Sequence, residues 1–493
     1  MVSNIPANIT APLLAFDVQS GGQFESENRL ILLGHGLAAG SLGNGQIAPC
    51  NSILDARVLT GAGSMLESMW QIARLNAPAQ EIWIGRVEDT GTAEIRTVTV
   101  GAVPAAGGLG VIEIGGEPVV VEIAAGASAN QVATALAAAI NAYFNPITKV
   151  SLPFTATAAT NVVTITARHK GTYATGIDIY VPVLESANAF AGLFTFATTT
   201  PGAGTPSVAA IIAAMNDDPF EMIVSAFGDA TNLGLFKTLL SDVSGRWSYA
   251  QQLYGHVFYP KTDTGANLTT AALAQDNWHL TMIPRFSNGG FAQPDYLWVA
   301  GFAARIAPWS GGGANGDVSR NQTGLVVEGL SPPRDRAYWM DYPTRDAFLK
   351  SGISTWQVNR NGDVLIDKII THHQTTAGAP DTTFRDVQKV FQLTHALRQF
   401  RADLAFEHSN KAIANDNPDN LPALTTVKDI KATLFHSYRR MSGVLENPET
   451  ALQQMVVTRD AGNPNRVNIE LPLDFVNPLD IFAGLARVYS QFR

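Results

Sequence analysis

Hydrophobic and polar positions change period several times along the chain, and each change marks an element. Residues 29–34, Arg-Leu-Ile-Leu-Leu-Gly, are a short apolar run closed by glycine. Over residues 64–76, Met65, Met69 and Ile72 share one face at helical spacing, and residues 81–85 are strand-like again. After residue 200 the alternation resumes with a helix through Val208, Ile211, Ile212 and Met215 and a strand over 221–227. A helix through Leu233, Phe236, Leu239 and Leu240 follows, then strands over 256–259 and 279–283. Short apolar strands alternating with amphipathic helices predict a mostly parallel sheet covered on both faces.

Residues 88–200 are rich in Ala, Thr, Val and Gly and sparse in charge. The apolar run from Val111 to Ile123 breaks at Gly115-Gly116, where two glycines supply the positive φ angles of a tight hairpin turn. Ile177, Ile179, Val181 and Val183 alternate as a strand does, and Val132, Leu136, Ile140 and Phe144 follow i, i+4 spacing as a helix does. The segment reads as a β-rich domain inserted into a surface loop, and loops that accept insertions face outward.

In the C-terminal third, Asn361-Gly362 between two apolar runs predicts a hairpin with a type I′ turn. Val390, Leu397 and Leu404 repeat every seven residues with Leu393 and Phe400 between them, which predicts a long helix with an apolar stripe. After the break at 415–418, Val427, Ile430, Leu434 and Met441 mark an antiparallel partner, giving a helical hairpin.

Val467, Ile469, Leu471, Leu473 and Phe475 then alternate with Asn468, Glu470, Pro472 and Asp474, and residues 479–492 add an apolar segment that includes Ile481 and Leu485. Near the other end, Leu14, Phe16 and Val18 alternate behind Pro6 and Pro12. A strand with unpaired main-chain groups aggregates unless another strand covers it. Two such segments predict strand exchange between subunits.

A length of 493 residues points to two to four domains. With 46% hydrophobic and only 15% charged residues, the surface carries little charge, as subunits with buried contacts do. The net charge of −9 argues against nucleic acid as a main partner. Cys50, the one cysteine, forms no internal disulfide and rules out a cysteine-rich metal site. The first fifteen residues lack a basic stretch and are broken by prolines, so no secretory signal is expected, and no apolar run is long enough to span a bilayer. The expected site of synthesis is a cytoplasm, with no membrane insertion.

Residues 344–371 resemble the signature of contractile phage tail sheath proteins: a short helix (Asp346 to Lys350), a corner at Gly352 and Ile353, a hairpin, and an apolar strand ending in Thr371. The order of other features is similar to the Mu-like sheath family. These are the N-terminal arm, the 29–34 run, Gly61-Ala-Gly-Ser-Met65 before a helix, the inserted domain, Asn463-Pro-Asn-Arg-Val467, and the closing Gln491-Phe492-Arg493.

The resemblance implies an α/β multidomain fold, with a sheath core over 21–87 and 201–343 and an outer β-rich domain over 88–200. An inner sheath domain would cover 344–478, and exchange arms 1–20 and 479–493. It further implies hexameric rings stacked in a helical lattice around an inner tail tube, arms that add strands to neighbouring subunits, and contraction that drives the tube into the host envelope. Implied partners are other copies, the tube protein, and the baseplate and tail terminator proteins, with no direct nucleic-acid contact. The implied location is the virion tail, assembled in the host cytoplasm. The exchange residues expected are Leu14, Phe16, Val18, Val467, Ile469, Leu471, Leu473, Phe475, Ile481 and Leu485.

Several motifs offer candidate chemistry beside that reading. Gly34-His-Gly-Leu-Ala-Ala-Gly40 approximates a dinucleotide fingerprint, but its third glycine is one place late and no striped helix follows. The sheath core is often called subtilisin-like, which raises a triad of Asp17, His35 and Ser64, yet nothing around Ser64 supplies an oxyanion donor. His372-His373 would point to opposite faces of a strand, so a solvated strand end is expected and not a metal site. The glycine-rich stretch 309–316 lacks the Lys and Ser/Thr of a phosphate loop.

Lys428, Lys431, Arg439 and Arg440, with Arg334 and Arg336, stand out in an acidic chain. They read either as a solvated helix face or as a patch facing an acidic tube. No catalytic residue, cofactor or metal is expected. The alternatives are the sheath of a headless phage-tail bacteriocin and, from another class, an NAD-dependent or hydrolytic enzyme with a Rossmann-like core.

Overall fold

The computed structural model describes residues 28–101, 103, 106–145, 151–183, 188–311 and 316–488. Six strands form the main sheet in the order Leu280–Phe286, His256–Asp263, Met222–Ser225, Arg29–His35, Glu81–Val87 and Ile47–Pro49. The first five run parallel, with Ile31 beside Ile223 on one side and Trp83 on the other, and only Ile47–Pro49 is antiparallel. Leu30, Ile31, Leu32 and Leu33 are all fully buried, as the central strand of a sheet covered on both faces must be.

Side-chain caps start the covering helices. The Ser52 hydroxyl and the Asp55 carboxylate each accept an N–H from the other residue's main chain ahead of helix Ile53–Thr60. Ser64 accepts the Glu67 N–H to open helix Met65–Asn76, which buries Met65, Met69 and Ile72 and packs against helix Asp295–Ser310.

After Val87 the chain leaves this sheet, and it returns through helix Ala209–Ala214. The intervening residues form a four-stranded antiparallel sheet, a three-stranded sheet and helix Ala129–Ala142. Ile112, Val119, Leu136, Ile140, Phe154, Ile165 and Phe190 belong to a hydrophobic core of their own. Departure and return are joined at a neck, where Thr92 and Ala203 exchange main-chain hydrogen bonds of 2.7 and 3.1 Å. Gly91 there has φ +103°, and a Cβ on it would lie 2.1 Å from the Ala203 oxygen, so no other residue fits.

Gly115 and Gly116 both take positive φ and join strands Gly108–Ile114 and Glu117–Ile123 as expected. The alternation at 177–183 yields only the two-residue strand Ile179–Tyr180, and Phe144 lies beyond the end of its helix. On strand Phe154–Ala159, the Asn141 amide bonds both main-chain groups of Ala156 (2.7 and 2.9 Å), which occupies part of that edge.

Hairpin Thr355–Val358/Val364–Lys368 docks on the main core through Trp356. That ring is fully buried, lies 5.2 Å from the Trp298 ring, and donates its indole N–H to the Pro284 carbonyl at 3.0 Å. Its turn is not type I′. Val358 pairs with Val364 across a five-residue loop, only Gly362 takes positive φ, and Asn359 Oδ1 accepts the N–H groups of Asn361 and Asp363.

Helices Val387–His408 and Val427–Arg440 form the expected antiparallel pair, with His408 meeting Thr425 and Thr433 at one end and Asp403 meeting Arg440 at the other. The apolar stripe of the longer helix is a poorer guide. Val390 and Phe400 are buried but Leu393, Leu397 and Leu404 only half so, while Gln388, Gln392 and Thr394 are buried. There the Gln392 amide nitrogen donates to Ser319 Oγ (2.7 Å) and to the Val476 carbonyl (2.8 Å), while its Oε1 is buried without a hydrogen bond.

Candidate assembly surfaces

Strands Val456–Arg459 and Val467–Glu470 form a two-stranded sheet, so each has an edge with no strand beside it among the described residues. Ile469 is exposed, whereas Val467, Leu471, Leu473 and Phe475 are half-buried against the main core. Phe475 sits in a short main-chain pairing with the chain's own 444–446 segment, where Glu446 N bonds Asp474 O at 2.8 Å and Val476 N bonds Val444 O at 3.0 Å.

Beyond that point the chain is anchored once more, by Asn321 to the Leu479 carbonyl and by Lys368 to Asp480. It then runs without helix or strand to residue 488. Ile481, Phe482, Leu485 and Val488 are 80, 86, 81 and 93% exposed. Four large apolar side chains in water within eight residues is an interaction feature, not ordinary surface. Phe482 and Val488 lie within the expected apolar segment 479–492 but were not among the exchange residues expected. Phe406, 87% exposed on the long helix, was also missed, and its place off the apolar stripe was the available signal. Leu14, Phe16 and Val18 lie outside the described residues.

The cations on helix Val427–Arg440 divide in two. Lys431 Nζ donates to the Met455 carbonyl at 2.7 Å, and Arg440 pairs with Asp403 at 2.6 Å. Lys428 and Arg439 are exposed, eleven residues and about three turns apart, hence on one face. Arg439 lies 5.7 Å from the Phe435 ring. Arg334 pairs with Asp178 and covers the Tyr180 ring, and Arg336 lies over Trp339, so neither joins that face.

The sites weighed for chemistry resolve into structural roles. No helix opens at 34–40, since the next one starts at the Ser52 cap. Ser64 is buried, its oxygen accepting the Glu67 N–H while its hydroxyl donates to Thr60 at 2.7 Å, since the Thr60 hydroxyl itself donates to the Ala56 carbonyl. The histidine reaching its helix is His169, whose Nε2 accepts the Met65 N–H at 3.0 Å while Nδ1 donates to Asp89 at 3.1 Å. His35 donates Nδ1 to the Val87 carbonyl at 3.2 Å, and burial lowers its pKa to about 4. Asp17 lies outside the described residues.

His372 and His373 are no solvated strand end. Both are buried, His372 against the Tyr259 hydroxyl (2.8 Å) and His373 against Asp381 (3.1 Å), because the chain tucks this segment under the last core strand. Among the described residues no group of three or more His, Cys, Asp or Glu side chains could hold a metal ion, and no helix is long and apolar enough to cross a membrane.

A multidomain α/β chain with bare strand edges and an exposed apolar segment is built for assembly, and comparison with known proteins says which kind. Residues 201–372 match the family described as phage tail sheath protein central domain. The Mu-like prophage FluMu tail sheath protein of Haemophilus influenzae is 26% identical over 493 residues, 98% of each chain. The sheath tail protein of Desulfitobacterium hafniense has the same fold at a TM-score of 0.50 with 13% identity, covering 94% of this chain and 97% of its own. That of Listeria innocua aligns over 92% and 93% at 0.47 with 12% identity. The chain thus contains the central domain of the phage tail sheath proteins, within an end-to-end homologue of a Mu-like prophage tail sheath protein.

Proposed function

We propose that the chain is the repeating structural subunit of a contractile tail sheath and works by assembling with copies of itself, not by catalysis. The observation that carries this reading is the exposed apolar segment 479–488 beside a hairpin with open strand edges. Covering such a segment with a neighbour's strand supplies main-chain hydrogen bonds and apolar burial together. Repeated head to tail, a contact of this kind is heterologous and builds rings and helical lattices.

In the assembled sheath, hexameric rings stack around the inner tube. Residues 344–478 face the tube, 88–200 face outward, and the arms 1–20 and 479–493 link neighbours. Baseplate and terminator proteins bound the lattice, which forms in the host cytoplasm and becomes part of the virion tail. Contraction keeps the arm links while the lattice widens.

Electron microscopy of the purified chain tests the reading: tubes or stacked rings are expected, and a protein that stays monomeric at high concentration with or without tube protein overturns it. The stripe of Lys428 and Arg439 is the proposed tube contact. Reversing both to Glu is expected to lower co-sedimentation with tube protein, most at low salt, because exposed pairs contribute only ~0.2–1 kcal/mol each and are screened. Self-assembly is expected to persist. Equal tube occupancy for both proteins across a salt series returns the stripe to a solvated face.

A further inference from the structure

We propose that the seam between the main sheet and residues 369–387 is an acid-sensitive latch, closed in neutral solution and opened reversibly when its buried histidines take up protons. Four of the chain's nine histidines lie in this seam. His256 begins a core strand, His279 precedes the next, and His372 and His373 follow the C-terminal hairpin; their exposures are 0, 2, 0 and 6%. The seam is closed by His372 N to Leu280 O (3.1 Å), Thr281 Oγ1 to Ile370 O (3.0 Å), and Gln374 N and Thr375 N to Asp276 (2.7 and 3.1 Å). Trp278 is sandwiched across it, 3.8 Å from the His279 ring and 4.7 Å from that of Phe384.

The hydrogen bonds fix where the proton sits on His256 and on His279. Thr281 gives its hydroxyl hydrogen to Ile370, so its oxygen must accept from His256 Nε2 at 2.7 Å. His256 Nδ1 is therefore a buried lone pair, and it makes no hydrogen bond. The Nδ1 atoms of His279 and His372 are likewise buried without a hydrogen bond. A proton added to His256 or His372 places a charge in the buried seam, where only a main-chain group, of Trp278 for the first and of Gly352 for the second, favours it.

Neighbouring groups do not rescue that charge. His256 faces the His279 and His372 rings, which oppose its protonation, and the uncharged Phe391 of the long helix; only the Trp278 main chain favours the charged form. Tyr259 meets His372, the Gly352 main chain favours its charged form, and Lys237 from helix Ala230–Leu239 opposes it. His279 has a carboxylate, Asp242 at 3.2 Å, but that partner is 58% exposed and screened by water. His373 faces Asp381 and Asp276. Burial dominates in the first three: His372 is lowered to about 4, His256 lies well below the ordinary value, and His279 is lowered.

Folded-state values below that of a free histidine, about 6.5, mean that the open seam binds protons more readily than the closed one. The latch is complete above pH ~6.5 and weakens as pH falls toward 4, the opening equilibrium gaining up to about tenfold per pH unit for each of His256, His279 and His372. His256 and His372, neither hydrogen-bonded to a carboxylate, together give about a hundredfold per unit. Residues 369–387 lead directly into helix Val387–His408, so acid loosens the start of that helix on the sheet, while Trp356 and Gln392 keep their own contacts.

Hydrogen exchange of the purified chain between pH 7.5 and 4.5, corrected for intrinsic rates, tests this. Protection over 369–387 and 278–283 is expected to fall about a hundredfold per unit below pH ~6.5 while strand Arg29–His35 holds. His256→Gln or His372→Gln is expected to reduce the dependence to about tenfold, and His436→Gln, on an exposed helix face, to leave it unchanged. If the buried variants do not fold, the slope of the unaltered chain decides alone. Protection that ignores pH, or that is lost from every element together, overturns the latch.

Discussion

Removing residues 479–493 is expected to leave a folded subunit that no longer polymerises. Apolar surface stabilises a fold only when it leaves water, at about 25 cal/mol per Å². From Ile481 to Val488 the large apolar side chains are at least 80% exposed, so their loss takes almost nothing from the core. The truncation also removes Asp480 from Lys368, which keeps Asp386 at 3.0 Å, so the charge stays paired. Unfolding free energy is expected to change by less than ~1 kcal/mol, the scale of a surface ion pair. Assembly is expected to fail outright, since each missing contact is repeated at every subunit. Sedimentation and electron microscopy read the outcome, and tubes formed by the shortened chain would remove the segment from the interface.

Trp356→Ala is expected to have the largest effect on the isolated subunit. Truncating a fully buried aromatic costs about 3–5 kcal/mol, and the Pro284 carbonyl loses its donor, which adds about 1–3 kcal/mol. Trp356 also touches Trp298 and Phe291, so the cavity opens inside an aromatic cluster that cannot collapse without moving helix Asp295–Ser310. Chemical denaturation of the variant should show the midpoint falling with little change in slope. A loss below ~1 kcal/mol would show that the C-terminal hairpin is not part of the core's cooperative unit.

Elements were legible where one force decided them. The apolar run at 29–34 and the serine-capped stripe at 64–76 became the central strand and its covering helix within a residue or two, because burial on both faces and a side-chain cap leave few alternatives. Double glycine at 115–116 likewise admits one tight turn. Reading failed where tertiary context overrode local pattern. Asn361-Gly362 lost its type I′ turn because Asn359, two residues earlier, folds the loop around its own side chain. His372-His373 was misplaced because burial depends on Tyr259 and Leu280, about a hundred residues upstream. The stripe on helix Val387–His408 was a partial guide because Ser319 and Val476 meet the helix on a second side, where they accept from the buried Gln392 amide nitrogen. Among the interface candidates, the apolar run at 479–492 gave Ile481 and Leu485, but nothing in a single chain's pattern tells a half-buried Leu473 from an exposed Ile469.

The neck at Thr92 and Ala203 has a consequence for how such a chain can evolve. Two main-chain hydrogen bonds and a glycine close the loop regardless of what hangs beyond it, and main-chain bonds are indifferent to side-chain identity. Away from the side chains that also tie it to the rest of the chain, such as His169 to Met65 and Asp178 to Arg334, sequence between residues 92 and 203 is therefore less restrained than the sheet. It can drift, shrink or be exchanged for a foreign module with adjacent termini, turning each subunit into a socket and a polymer of subunits into a regularly spaced display.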